Sequence, residues 1–187
     1  AYQKLAFYDL RGTNSVDVSF GSALLGGDFP DPEFEFYLRL AYKRHVTEHL
    51  ALSLSFNRYN LAFNEVYNQA FMSFDFNLEY FMTPFNGVSP FVFAGYGYNA
   101  DSGFETTGPK VQGGLGVEFM VVEKVGIKLF GEYNYVFSKE TSPIINNENS
   151  INFLRLGLGV NLYFGGEKAK AKLQEQVETV IKTNTIE

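Results

Sequence analysis

Apolar and polar residues alternate at every second position through most of this chain. The clearest example runs from position 33 to position 45, where the alternation continues without a slip. One face of that stretch carries Phe34, Phe36, Leu38, Leu40 and Tyr42, and the other carries Glu33, Glu35, Tyr37, Arg39, Ala41, Lys43 and His45. Successive side chains point to opposite faces of a β-strand, so a period of two indicates strands. A helical period begins only after Gly166, which predicts an all-β domain followed by a short helical tail.

Eight segments of the chain show this alternation. They lie at 16–24, 33–45, 50–57, 72–80, 89–99, 111–119, 127–135 and 154–164. The fifth is aromatic on both faces, so its phase stays open. The connections alternate between short turns, at 46–48, 83–88 and 123–124, and longer loops, at 26–32, 60–68, 100–109 and 138–150. This alternation is typical of an eight-stranded antiparallel up-and-down β-barrel whose two ends face different surroundings.

The alternation does not by itself say which face of the barrel points outward. The interior of an eight-stranded barrel is only just wide enough for its side chains, and three or more large apolar residues per strand would crowd it. The polar face is rich in Gly, Ser, Ala and Asn, and charged residues make up only 19% of the chain, against about 25% in ordinary soluble domains. Both observations favour an apolar exterior and therefore a transmembrane barrel. A soluble, lipocalin-like barrel with an apolar interior is the alternative.

Charged residues on the polar face would then converge inside the barrel. Isolated buried charges are costly, so we expect them to pair in a network that plugs the lumen. The predicted network consists of Asp17, Glu35, Arg39, Lys43, Asp75, Glu79, Glu118, Lys128, Glu132 and Arg155.

Aromatic residues near the predicted strand ends indicate girdles at two membrane interfaces. The candidates are Tyr42, Tyr80, Phe81, Phe91, Tyr98, Phe119, Tyr135, Phe137, Tyr163 and Phe164.

Three segments resemble the small eight-stranded outer-membrane barrels of the OmpA and OmpX type, and the resemblance covers residues 10 to 166. They are SPFVFAGYGY at 89–98, QGGLGVEF at 112–119 and LRLGLGVNLYF at 154–164. The resemblance implies that the last segment is the closing-strand signal read by the outer-membrane assembly machinery, with Leu158, Val160, Leu162 and Phe164 as its residues. Residues 9–15 (DLRGTNS) and 126–134 (GIKLFGEYN) also resemble Bacteroidota barrels of the curli-secretion-associated group. No segment corresponds to a curli secretion channel domain, so that activity is not implied.

The predicted organisation is a periplasmic lead-in at 1–13, the barrel at 14–165 and a periplasmic tail at 166–187. In the tail, apolar residues recur at helical spacing and form a stripe that could bind a protein partner. The stripe consists of Leu173, Val177, Val180 and Ile181. A frayed, disordered terminus is the alternative.

Several function classes are disfavoured by residues that the chain lacks. There is no cysteine, and the two histidines, His45 and His49, flank one short turn where only Glu48 could join them as a metal ligand. We therefore expect no metal, no cofactor and no catalytic site, and we expect both histidines to have a turn or interfacial role. The net charge of −6, without a basic cluster, argues against nucleic acid. No window reaches 18 apolar residues, so no transmembrane helix is predicted.

The function predicted from these observations is that of a non-enzymatic outer-membrane barrel with a plugged polar lumen. It would act as a structural or accessory subunit of an outer-membrane complex, with long loops extracellular and both termini periplasmic. Its expected partners are outer-membrane lipid, lipopolysaccharide and other outer-membrane or periplasmic proteins. A narrow pore for ions or small solutes and a soluble lipocalin-like binding protein are the two alternatives.

Overall fold

The computed structural model describes residues 2–26, 32–63, 67–104, 107–137 and 151–184. Within these residues, two helices flank nine strands. In chain order these elements are α1 (Tyr2–Leu10), β1 (Asn14–Gly26), β2 (Pro32–Glu33), β3 (Glu35–His45), β4 (Leu50–Phe63), β5 (Tyr67–Phe81), β6 (Val88–Asp101), β7 (Thr107–Val122), β8 (Val125–Val136), β9 (Ile151–Phe164) and α2 (Glu167–Asn184). The two-residue β2 pairs with β4 beyond the end of β3, so β2 and β3 together count as one of eight barrel strands.

The eight barrel strands form a closed antiparallel barrel in which each strand pairs with its neighbours in sequence. The last strand returns to the first: β1 pairs with β9 along its whole length, and it pairs with β3 on its other side. This confirms the predicted eight-stranded up-and-down barrel, followed by a short C-terminal helix. Neither described helix is long and apolar enough to cross a membrane.

The two faces of the barrel wall have opposite character. Outward-facing side chains are apolar and exposed, as Leu54 (60%), Phe74 (63%) and Leu115 (67%) illustrate. Inward-facing side chains on the same strands are polar and buried. The open phase of the fifth predicted strand is settled too, because β6 turns Phe91 and Phe93 inward and Tyr96 and Tyr98 outward.

The prediction of the aromatic girdles is wrong for three residues. Phe81, Phe91 and Tyr163 are buried in the lumen, because each lies in phase with an inward polar residue two positions away on its own strand. The other candidates face outward. They are Tyr42, Tyr80, Tyr98, Phe119, Tyr135, Phe137 and Phe164.

Two loops are shorter than predicted, because their strands extend past the regular apolar alternation. The loop predicted at 60–68 shrinks to the connection between Phe63 and Tyr67, and the loop predicted at 100–109 shrinks to that between Asp101 and Thr107. Residues 27–31 and 138–150, which carry most of the other two predicted loops, lie outside the described residues. The end of the barrel that carries these four connections is called the long-loop end below, and the other the short-turn end.

A helix at the N-terminus, α1, was not predicted. It lies across the short-turn end of the barrel, where its Phe7 is 2% exposed. Arg11, just after the helix, extends into the lumen and is fully buried. The segment expected to be a simple lead-in is therefore packed against the barrel as a cap.

Candidate functional site: the polar lumen and its cap

The lumen holds a balanced set of buried charges, called the lumen network below. Nine of the ten predicted members are buried, and Glu35 is the exception. Glu35 is half-buried at the long-loop rim, where Asn68 Nδ2 donates to it over 3.3 Å. Three buried charges were not predicted, namely Arg11, Asp101 and Lys110. The six acids are Asp17, Asp75, Glu79, Asp101, Glu118 and Glu132, and the six bases are Arg11, Arg39, Lys43, Lys110, Lys128 and Arg155.

Arg155 is the centre of the network in the half of the lumen nearer the long loops. Its Nε donates to Glu132 Oε1 over 2.7 Å, and its Nη2 lies 2.9 Å from Asp75 Oδ2. Lys110 Nζ approaches the same Asp75 oxygen at 2.8 Å and Asn134 Oδ1 at 2.6 Å. Because β9, which carries Arg155, lies opposite β5, which carries Asp75, the Arg155–Asp75 contact crosses the lumen.

Arg39 connects the middle of the lumen to this cluster. Its guanidinium lies 3.5 Å from Glu132, 3.7 Å from Asp17 and 3.7 Å from Glu79. Lys128 pairs with Asp17, and Lys43 Nζ lies 2.5 Å from Glu79 Oε2. Every carboxylate in this part of the lumen therefore has a cationic partner, which is what burial of charge requires.

Glu118 organises the short-turn end of the lumen. Arg11 donates to Glu118 Oε2 from Nε over 2.8 Å, and its Nη2 lies 2.8 Å from the same oxygen. Asn161 and the Tyr163 hydroxyl donate to Glu118 Oε1 over 2.5 and 2.6 Å. Arg11 also donates to the carbonyl oxygen of Pro84 over 2.6 Å. The residue that follows α1 thus ties the cap to β7, β9 and a short turn.

Aromatic rings fill the space between the charges. Phe91 and Phe93 lie directly across from Gly116 and Gly114 on the neighbouring strand. A Cβ on Gly116 would stand 2.5 Å from the Leu129 carbonyl oxygen and 2.6 Å from Phe91 Cζ, so this position has room only for glycine. Arg39 lies over the Phe130 ring at 5.5 Å, and Lys43 over the Phe81 ring at 5.2 Å, in cation–π geometry.

The cap also covers one of the two histidines. The His45 ring lies 5.3 Å from the rings of Phe7 and Phe81 and 5.8 Å from that of Tyr163, and neither ring nitrogen has a hydrogen-bond partner among the described residues. The expected turn or interfacial role is therefore wrong for His45, because α1 covers it. His49 does lie in the turn, where its Nδ1 is 2.7 Å from the Phe81 carbonyl oxygen.

Two turn residues hold α1 by electrostatic contacts. Lys124 donates to the carbonyl oxygen of Tyr8 over 2.5 Å, and partial burial lowers the pKa of this lysine. Lys4 on α1 lies 3.1 Å from Glu48. Burial raises the pKa of Glu48, but its own backbone amide and the Lys4 ammonium outweigh burial, so the pKa lies below its ordinary value.

The remaining predicted sites lie outside the lumen. Leu158, Val160, Leu162 and Phe164 face outward on β9, in the seam where this strand pairs with β1. In α2, Leu173 and Val177 are half-buried, whereas Val180 (60%) and Ile181 (52%) are exposed. Lys170 pairs with Asp9 of α1 at 2.7 Å, and this hydrogen bond raises the lysine pKa. The described residues contain no group of three or more acidic or histidine side chains placed to hold a metal.

Solved structures identify the architecture. Neisserial surface protein A (NspA) superposes with a TM-score of 0.67 at 18% identity, over 82% of this chain and 98% of that one. This chain has the fold of a small outer-membrane β-barrel. The barrel is also similar to a major outer membrane protein from Thermus thermophilus (TM-score 0.52, 11% identity, 81% and 99% of the two chains). A third match is Ail, the attachment invasion locus protein of Yersinia pestis (0.50, 16%, 82% and 100%).

At these identities the matches establish the fold of the barrel and nothing finer. No family model matches the chain, and no curated protein matches it. Function must therefore be argued from the barrel's own residues.

Proposed function

We propose that this chain is a non-enzymatic integral outer-membrane barrel with a plugged lumen, acting as a structural or accessory subunit of an outer-membrane complex. The observation that carries this proposal is the inversion of the barrel wall: exposed apolar side chains cover the outside, and twelve charged residues are buried inside. An apolar exterior is stable in lipid and costly in water. The same inversion argues against a soluble lipocalin-like barrel, which needs an apolar interior.

The lumen network supports a plugged barrel over a pore. The Arg155–Asp75 ion pair crosses from β9 to β5, and Arg39 on β3 reaches Glu132 on β8. Moving an ion through the lumen would require these pairs to separate in a low-dielectric interior, which is expensive. Aromatic rings between the charges leave little room for water.

A non-enzymatic role is supported by the surroundings of the two histidines. His45 is enclosed by aromatic rings, and the Nδ1 of His49 is occupied by the Phe81 carbonyl oxygen. Neither ring is arranged to activate a nucleophile as a general base would need to be. The resemblance to Bacteroidota barrels of the curli-secretion-associated group stays a prediction from residues 9–15 and 126–134.

The proposed orientation has the long loops outside the cell and both termini in the periplasm. Both helices lie at the short-turn end, where a bacterial outer-membrane barrel exposes its short turns to the periplasm. The apolar stripe of α2 would then be available to a periplasmic or outer-membrane protein partner. Exposed apolar residues at helical spacing are suited to lie in a groove of such a partner.

The membrane placement is tested by folding the full chain into lipid vesicles and running it on a denaturing gel with and without heating. A membrane barrel migrates as a compact band that shifts to slower migration when boiled. A chain that stays in solution without detergent and shows no shift contradicts the proposal.

The partner role of the tail is tested by purifying the barrel from native membranes in mild detergent and comparing two variants. Val180→Glu puts a charge on the apolar stripe, and Gln174→Glu puts the same charge on an exposed polar position of α2. We expect a co-purifying protein to be lost with Val180→Glu and kept with Gln174→Glu. If the co-purifying protein is retained with both variants, the tail does not bind it through the apolar stripe, and this part of the proposal is wrong.

A further inference from the structure

In the part of the chain that the structure describes, the outer face of the barrel carries charge at two positions. Among the outward-facing residues of the eight long strands, as far as the structure describes them, the charged ones are Arg44 and Arg58. Arg44 lies next to the end of β3, beside the short turn that starts at Val46. Arg58 lies inside β4, where it is paired in register with Leu38 and Met72. The two arginines therefore have different surroundings.

Arg58 is an exposed guanidinium on an apolar surface. Phe34 and Phe36, which are 70% and 57% exposed, lie further towards the long-loop end than Leu38, the residue opposite Arg58. Arg58 forms no hydrogen bond or ion pair with any side chain that the structure describes. An unpaired charge on the lipid-facing side of a barrel is unfavourable to a degree that depends on depth. An anion from the membrane itself would relieve that cost.

Beside Arg58, on its short-turn side, the outer face forms an apolar groove of about 590 Å³. Phe56, two residues from Arg58 on β4, lies at one side of the groove, with its ring 5.2 Å from that of Phe74. The other main lining side chains are Leu54, Phe76, Tyr96 and Tyr98. Polar atoms contribute almost nothing to the lining. The groove is therefore suited to hydrocarbon chains.

The width of the groove indicates how many chains it accepts. Its walls run from Val16 on β1 to Tyr96 and Tyr98 on β6, which is four interstrand spacings of ~4.8 Å, or about 19 Å in all. That width accommodates several acyl chains side by side, which fits a multi-chain glycolipid better than a two-chain phospholipid. Asn60, two residues beyond Arg58 on the same face of β4, donates from Nδ2 to Asn68 Oδ1 over 3.4 Å and adds a polar amide above the groove.

We propose that the groove and Arg58 together form a binding site for the lipid A part of lipopolysaccharide. The acyl chains lie along Phe56, Phe74 and Tyr96, and a lipid A phosphate pairs with the Arg58 guanidinium. This inference rests on the proposed function, because lipid A reaches Arg58 only if the long-loop end faces the outer leaflet. Guanidinium binds phosphate in a bidentate manner, which an ammonium cannot reproduce.

The test is native mass spectrometry of the full-length barrel, refolded in detergent and titrated with purified lipid A or with phosphatidylglycerol. We expect the wild type to retain lipid A in preference to phosphatidylglycerol. Replacing Arg58 by Gln should lower lipid A retention about tenfold, the size expected for loss of one charge-assisted hydrogen-bonding group. Arg58→Lys should lose less, and Leu54→Trp, which fills the groove without adding charge, should also lower retention.

Arg44→Gln is the matched control, because it removes an outward arginine on the adjacent strand that lies at the short-turn end. Its lipid A retention should equal that of the wild type. Equal losses with Arg44→Gln and Arg58→Gln, no loss with Arg58→Gln, or equal retention of the two lipids would overturn the proposal. Lipid-free dimers that Leu54→Trp abolishes would instead assign the groove to a second copy of the chain.

The same preparations separate a failure of this inference from a failure of the proposed function. A wild-type barrel that shows the heat-dependent gel shift but no lipid A preference contradicts only the lipid site. A chain that shows no shift in vesicles contradicts the membrane placement on which the site depends.

Discussion

At the scale of single residues, the interior of this barrel depends on the exact pairing of a few buried charges. Glu132 illustrates this, since it accepts from Arg155 over 2.7 Å, lies 3.5 Å from Arg39 and also accepts from Asn134 over 2.9 Å. Such a group holds several cations at once. Removing it deprives both Arg155 and Arg39 of one anionic partner inside the barrel, whereas water replaces the partner of a charge on the surface.

Glu132→Ala should therefore destabilise the folded barrel by about 3–5 kcal/mol, the cost of breaking a buried ion pair from one side. The double variant Glu132→Leu with Arg155→Leu should cost less than the sum of the two single variants, because no partner is left unpaired. The measurement is urea unfolding in lipid vesicles, followed by the folded band on gels. Lys170→Ala, which breaks the exposed pair with Asp9, is the control and should leave the midpoint unchanged.

The glycines opposite the lumen aromatics give a second test at this scale. Gly116→Ala places a Cβ 2.6 Å from Phe91 Cζ, and such overpacking typically costs about 1–3 kcal/mol. Gly113→Ala, on the outward face of the same strand, meets nothing closer than a backbone oxygen at 3.6 Å. We expect the first variant to lower the urea midpoint and the second to leave it near the wild-type value. Equal effects would mean that the close approach of the Leu129 carbonyl oxygen and the Phe91 ring does not limit this position.

At the scale of elements, the alternation of apolar and polar residues predicted the eight barrel strands. The placement of several individual residues, however, could be read only from the tertiary structure. Lys110 was missed because the sixth strand was started one residue too late, although Lys110 is in phase with Gln112 and Gly114. Counting the period back by one step would have found it. Phe91 and Phe93 could not be placed from the sequence, because an aromatic residue suits either face of β6. Only the glycines across from them show that they fit inside.

The cap helix α1 could not be predicted from the sequence, for a different reason. An isolated helix of nine residues is marginal in water, so α1 depends on the barrel for its stability. Its contacts involve residues far apart in sequence, such as Phe7 with His45 and Arg11 with Glu118. No local sequence pattern in positions 2–10 predicts those contacts. The same contacts explain why His45 is buried although it flanks a turn.

Arg11→Ala should release α1 from the barrel. We expect amide hydrogen exchange in residues 2–10 to become much faster, because the helix loses the two Glu118 contacts and the Pro84 carbonyl contact. Exchange in the central strands should change little. Lys4→Ala removes only the partly exposed pair with Glu48 and should have a much smaller effect. Unchanged protection of α1 in Arg11→Ala would show that Arg11 does not anchor the cap.

At the scale of the whole molecule, the barrel is inverted relative to a soluble protein. In the described residues of the strands, the exterior is largely apolar and carries charge only at Arg44 and Arg58, and the interior holds six acids and six bases that balance each other. Ion pairs link strands on opposite sides of the ring, and α1 covers the short-turn end. We propose that this arrangement gives a wall that is stable in lipid around a core that is closed to ions.

Single-channel recording in a planar bilayer is the most direct test of a closed lumen. The full chain is inserted from detergent, and insertion is verified by the heat-dependent gel shift of the same sample. We expect no steady conductance for the wild-type barrel. A stable open channel whose conductance changes in Glu132→Ala or Arg155→Ala would contradict it and would assign the lumen to ion transport.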